Sequence, residues 1–227
     1  MPGSPTNPAS RPSSSSPRSG RAAALLDTVL PRPRLSRLVR LFAGLHLFGA
    51  GGALLIAADL GSSPWDVLHQ GLSRHTGLSV GTWSIIIGAL LMLLWIPLRQ
   101  RPGLGTVSNV VVVGLSVDAT LWWLPDPEAG GLPLRAGYLA AGIVVTAVAT
   151  GCYIGARLGP GPRDGLMTGL AARGLSIRAA RTGIEVSVVV LGFLLGGTVG
   201  LGTLAFALAI GPLAQVFIPR MRLREPE

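Results

Sequence analysis

From Val186 to Pro219 the chain runs for 34 residues without a charged side chain. A hydrocarbon core of ~30 Å takes about 20 apolar residues as a helix, because backbone polar groups in lipid must be bonded within their own segment. At ~1.5 Å per residue this run is too long for one crossing. It is read as two spans, near Thr182 to Gly197 and Leu201 to Ile218, broken at the glycines 196, 197, 200 and 202. Four more stretches are long and apolar enough: Leu41 to Ala58, Val80 to Leu98, Leu104 to Leu124 and Ala136 to Ala156. The chain is 49% hydrophobic and 13% charged, with 32 glycines, a balance that suits close helix packing in lipid and excludes an ordinary soluble enzyme.

An internal repeat supports the same division. Residues 60–72, LGSSPWDVLHQGL, match residues 158–170, LGPGPRDGLMTGL, at seven of thirteen positions with an offset of 98. One residue is then lost, and at an offset of 97 Gly77-Leu78-Ser79 meets Gly174-Leu175-Ser176 and Gly103-Leu104-Gly105-Thr106 meets Gly200-Leu201-Gly202-Thr203. The first GLGT lies between two spans, so the second marks the same turn inside the long apolar run. Each copy holds three spans, an odd number, and consecutive copies therefore enter the membrane from opposite sides. The expected fold is all-α and polytopic: six transmembrane helices as two inverted three-helix repeats, over 41–124 and 136–218, each with a short interfacial or re-entrant helix. A Pro/Ser/Arg-rich tail over 1–36 is expected to be disordered and cytoplasmic, the membrane domain to cover 37–219, and a short cytoplasmic tail to follow over 220–227.

The net charge of +9 comes from 19 arginines and no lysine. With the N-terminus inside, 17 of the 19 fall on the cytoplasmic side; only Arg74 and Arg135 fall outside, beside the acidic loop at 124–131. The basic charge is thus accounted for by orientation in the cell membrane, with both termini cytoplasmic, and a nucleic-acid partner is not expected. Cys152 is the one cysteine and can form neither an intramolecular disulfide nor a cysteine-based metal site.

The repeated motif LGxxPxDxLxxGL reads as a short helix in each copy. Ser63 is an N-cap, Pro64 takes the first helical position and Asp66 sits in the first turn; Gly161, Pro162 and Asp164 fill the same places in the second copy. The first such helix has about twelve residues, too few to span. These segments, with GLSVGT at 77–82, SIRAARTGIE at 176–185 and GGTVGLGTLAFALAIGP at 196–212, resemble the YczE/YyaS/YitT-type family of bacterial integral membrane proteins, over about residues 40–219. The resemblance implies the membrane architecture and a transporter-like role, and it names no substrate.

Ionisable groups within or beside spans are the functional candidates. The two glycine-rich helix starts, Gly61, Ser62, Ser63 and Asp66 in one copy and Gly159, Gly161, Arg163 and Asp164 in the other, could receive an anionic group of a substrate, or the two acids could simply cap their helices. Asp118, whose repeat mate is Gln215, either supports that site or snorkels to the interface or caps a neighbour. Glu185 follows Arg181 by four residues, the spacing of a helical ion pair. Asp59 and Arg157 align, and topology alone accounts for their opposite charges. Gly192/Gly196 and Gly196/Gly200 read as helix-packing spacings. Gly159, Gly161 and Gly165 lie outside any strand–helix pattern that binds dinucleotides, and no Walker A sequence is present. His46, His69 and His75 lack ligand spacing, so neither a metal nor another cofactor is expected. No nucleophile and base set can be named, so an enzyme is not expected either. A small-molecule transporter or permease is the leading function; a non-transporting scaffold or regulatory subunit is the alternative. The partners expected are the bilayer and a small-molecule substrate, with a second copy of the chain left open.

Overall fold

Glycine, proline and serine punctuate the apolar runs, and the helix ends fall where they stand. The computed structural model describes residues 28–31, 33–125 and 130–222. Eight helices lie among the described residues: α1 (Arg34–Ala58), α2 (Pro64–Thr76), α3 (Val80–Leu98), α4 (Leu104–Trp123), α5 (Gly131–Gly155), α6 (Pro162–Ala171), α7 (Ile177–Leu194) and α8 (Leu201–Met221). No strand occurs among them. The tail expected over 1–36 lies outside the described residues as far as position 27, and so do 126–129 of the acidic loop and 223–227 of the C-terminal tail.

Five helices, α1, α3, α4, α5 and α8, are long and apolar enough to cross a membrane. The expected sixth, α7, has 18 residues and carries Arg178, Arg181 and Glu185 in its first half. It is shorter and more polar than the other five, at about 27 Å for ~1.5 Å per residue. The long apolar run does break as expected: α7 ends at Leu194, Gly196 takes φ +83, and Gly200 caps α8. At the other end, α1 begins at Arg34 rather than near Leu41. Its extra two turns are held by Arg37, which is 1% exposed and donates to the Ala156 carbonyl, and by Arg40, which donates to the Met221 carbonyl at 2.6 Å.

The α1–α5 pair is the spine of the molecule, with α4 packed on α1 and α8 on α5. The short helix α2 packs on α7 and on α3, and α6 packs on α3 and on α7. One apolar cluster joins α1, α4 and α5 through Leu41, Leu45, Val113, Val117 and Tyr153. A second, Trp65, Leu68, Leu91 and Val188, joins α2, α3 and α7. Where helices cross most closely the contact residue is glycine: a Cβ on Gly192 would lie 2.5 Å from the Leu68 nitrogen, so α7 can lie against α2 only without one. Gly196 and Gly200 belong to the turn instead.

Several contacts recur between sequence-equivalent positions. Gly105 N–H donates to the Leu158 carbonyl at 2.7 Å, and Gly202 N–H donates to the Leu60 carbonyl at 2.7 Å. Arg37 reaches the carbonyl of Ala156, while Arg135 reaches those of Ala58 and Asp59. In each case both partners are shifted by 97 or 98 residues between the two contacts. One pair breaks the pattern: α3 and α4 pack side by side, whereas the equivalent α7 and α8 form no comparable packed pair. Gly114 on α4 is pressed against α3, where a Cβ would lie 2.5 Å from the Gly81 oxygen; its equivalent on α8, Gly211, has nothing within 4 Å.

Candidate functional site

The starts of α2 and α6 are built as the motif dictates. Ser63 caps α2, accepting from the Asp66 N–H at 3.4 Å, and Pro64 takes a first-turn position whose missing N–H would have had no helical partner. The Ser63 hydroxyl also donates to Asp66 Oδ2 at 2.6 Å. In α6, Gly161 caps without a side chain, Pro162 follows, and Asp164 Oδ2 accepts instead from the Tyr153 hydroxyl of α5 at 3.1 Å. The preceding glycines hold positive φ, +111 at Gly61 and +122 at Gly159, where a side chain would be strained and would also strike Thr203 or Thr106. The non-helical backbone is satisfied locally: Thr106 Oγ1 donates to the Pro160 carbonyl at 2.8 Å, and Gln70 bridges Ser62 Oγ and the Thr198 N–H.

The two helix starts approach one another through a side-chain contact. The Arg163 guanidinium lies over the Trp65 ring, 4.9 Å from its centroid, and these two residues are sequence equivalents, 98 apart. Around them opens a cavity of about 230 Å³, flanked by α7 and α8 and backed by α1 and α5. Asp66, Arg163, Asp164, Arg181 and Glu185 bring its charges, and Phe48, Leu55, Phe206 and Ile210 are among its apolar walls. Arg181 and Glu185 form an ion pair at 2.9 Å, as their spacing predicts. Among the described residues Arg163 has no hydrogen bond, and no carboxylate oxygen comes within ion-pair distance of it. A second cavity, about 70 Å³, lies on the α3–α4 side. The two share Phe48, Tyr153, Arg163 and Asp164. His69 is wholly buried behind the site, its Nδ1 3.5 Å from Asp66 Oδ1.

The candidates read from the sequence divide accordingly. Ser63, Asp66, Arg163, Asp164 and Glu185 come together in the larger cavity, and Gly161 lines the smaller one. Gly61, Ser62 and Gly159 sit in the junctions that receive α8 and α4 and do not line the larger cavity. Asp118 is elsewhere: it accepts from Ser79 Oγ at 2.5 Å and from the Gly81 N–H at 2.8 Å, tying the end of α4 to the start of α3. The wall residues Tyr153, Thr146, Trp65 and Phe48 have no counterpart among the sequence candidates. Tyr153 carried a usable signal, a phenolic hydroxyl near the end of a mostly apolar span.

No solved structure matches the chain. It is 44% identical over 181 residues to an uncharacterized protein of Haemophilus influenzae, covering 79% of this chain and 82% of the other. It is 35% identical over 184 residues to the uncharacterized membrane protein YczE of Bacillus subtilis, covering 79% and 84%. Identity to the uncharacterized protein YyaS of the same organism is 30% over 181 residues, covering 78% and 89%. With a family model matching residues 35–219, which takes in every helix described above apart from a residue or two at the outer ends, the chain belongs to DUF6198, a family of unknown function to which its helices and central cavity now give a physical outline.

Proposed function

We propose that this membrane protein is a small-molecule permease made of two inverted three-span units, with α7 as the sixth span and both termini in the cytoplasm. The observation that carries the reading is the pair of cavities on either side of Phe48, Tyr153, Arg163 and Asp164, one of about 230 Å³ beside the unpacked α7–α8 seam and one of about 70 Å³ beside the packed α3–α4 seam. Their linings are sequence equivalents at an offset of 97: Ser84 and Arg181, Gly88 and Glu185, Asn109 and Phe206, Val113 and Ile210. A site reached from one side while the equivalent passage on the other is sealed is what alternating access requires. The reciprocal contacts of Arg37 with Ala156 and Arg135 with Ala58 support a two-fold relation between the units, and an odd number of spans per unit makes that relation an inversion. Trp122 and Trp123, both largely exposed at the end of α4, suit a membrane–water interface.

The difference between the two passages has a basis in residue size. Gly81 and Gly88 let α3 close on α4, whereas Arg178 and Glu185 stand at the equivalent places on α7. Asp118 clamps the closed seam, and its equivalent is the uncharged Gln215.

Single cysteines at Ala214 on α8 and at its equivalent Val117 on α4, in a Cys152→Ala background, test the reading. A membrane-impermeant maleimide should label position 214 from the cytoplasmic side and leave 117 protected. Proteoliposomes should show saturable flux of at least one compound from a metabolite panel. Labelling of 214 from the exterior alone, or absence of flux for the whole panel in folded protein, overturns the permease and favours a scaffold.

A further inference from the structure

The charges around the central cavity do not balance, and the imbalance specifies a ligand. Arg181 and Glu185 neutralise one another at 2.9 Å. That leaves one cation, Arg163, with two carboxylates, Asp66 and Asp164, on the same lining. Arg163 presents a planar fork of five N–H donors. Trp65 covers one face of the guanidinium, and among the described residues no acceptor meets its edges. The groups that fit such a fork in its plane are carboxylate and phosphate.

The two aspartates choose between these groups. A dianionic phosphate would enter a lining that already carries one net negative charge. A carboxylate brings half that charge, and it too is repelled unless the same molecule brings a cation for Asp66 and Asp164. The two carboxylates differ in how far they are already engaged: Asp66 has Ser63 on Oδ2 and His69 3.5 Å from Oδ1, whereas Asp164 has Tyr153 on Oδ2 and no side chain on Oδ1 among the described residues. The remaining wall, with Phe48, Leu55, Phe206 and Ile210, is apolar.

We propose that the cavity binds a small amphoteric molecule with an apolar body, its carboxylate on the edge of Arg163 and its ammonium held by Asp66 and Asp164. The assignment rests on reading this cavity as the permease's substrate site, and a volume of about 230 Å³ suits a ligand of amino-acid size.

The test uses the full chain in nanodiscs and three matched probes: L-leucine, 4-methylpentanoate, which lacks the ammonium, and 3-methylbutylamine, which lacks the carboxylate. Calorimetry should show saturable leucine binding, with each half-ligand weaker by about tenfold or more. Arg163→Gln should weaken leucine and the acid by about tenfold without weakening the amine, and Asp164→Asn should weaken leucine and the amine. Should Arg163→Gln not fold, Arg163→Lys keeps the charge, loses the fork and should still weaken leucine. Leucine that does not bind, an amine that binds as tightly as leucine, or leucine affinity unaltered in a folded Arg163 variant would each overturn the assignment. Leucine binding without uptake into proteoliposomes would remove the permease reading and leave the ligand assignment standing.

Discussion

Gly114 and Gly211 occupy equivalent positions on α4 and α8, so one substitution at both sites measures the difference between the two seams. An alanine Cβ at 114 would lie 2.5 Å from the Gly81 carbonyl oxygen and 2.6 Å from Ile85 Cγ1. Ordinary van der Waals contact needs roughly 3.4 Å or more, so α3 and α4 must part by close to an ångström at a point where one neighbour is backbone and cannot rotate away. Overpacking of this kind costs about 1–3 kcal/mol, and the gain of alanine over glycine within a helix is about 0.5–1 kcal/mol. Gly114→Ala should therefore lose up to about 2.5 kcal/mol net. At 211 no atom lies within 4 Å, so the overpacking cost vanishes and only the helical gain of about 0.5–1 kcal/mol remains. Equilibrium unfolding in mixed micelles reads both variants on one scale. If the two alanines shift stability in the same direction by similar amounts, or Gly211→Ala is the more damaging, α7 and α8 are as closely packed as α3 and α4 and the contrast between the two seams fails.

Two more predictions follow from the ends of the helices. Arg37, 1% exposed, and Arg135, about a quarter exposed in its side chain, make equivalent bonds to helix-terminal carbonyls, so Arg37→Ala should cost about 2–3 kcal/mol and Arg135→Ala under half of that in the same unfolding assay, because only the buried site leaves its carbonyl without water. Reporter fusions after Arg101 and Arg222 should read as cytoplasmic and a fusion after Leu124 as exterior; an exterior C-terminus would leave α7 outside the set of spans and refute the six-span arrangement.

What could be read from residue order was whatever the local backbone decides. Ser63, Pro64 and Asp66 define a helix start by capping chemistry that acts within four residues, and α2 begins where those residues stand. The break at Gly196–Gly200 was legible because a 34-residue apolar run exceeds the thickness of a bilayer. The bond between Arg181 and Glu185 follows from the pitch of a helix. Charge was less informative about its own role: Arg37 looked like one of many arginines marking the cytoplasmic side, yet its guanidinium is buried against Ala156, 119 residues away.

The candidate site lay only partly within reach of the sequence. Motif symmetry pointed to Asp66, Arg163 and Asp164 together, and they do share one lining. Tyr153, Phe48 and Thr146 belong to mostly apolar spans, and although the Tyr153 hydroxyl stood out, their place in the wall depends on how α1 crosses α5, which no local pattern encodes. Asp118, an acid inside a span, gave the signal of a site residue, but the approach of α3 to α4 through Gly81 and Gly114 makes it a partner for the exposed donors at the start of α3. Propensity, capping and hydrophobic length act along a few turns of chain, and they determined the helices, their breaks and the twofold repetition of the motif. Which of the two equivalent seams packs tightly depends on the volume of side chains from distant segments meeting face to face, glycine against glycine on one side and arginine and glutamate on the other, and only the tertiary structure brings those faces together.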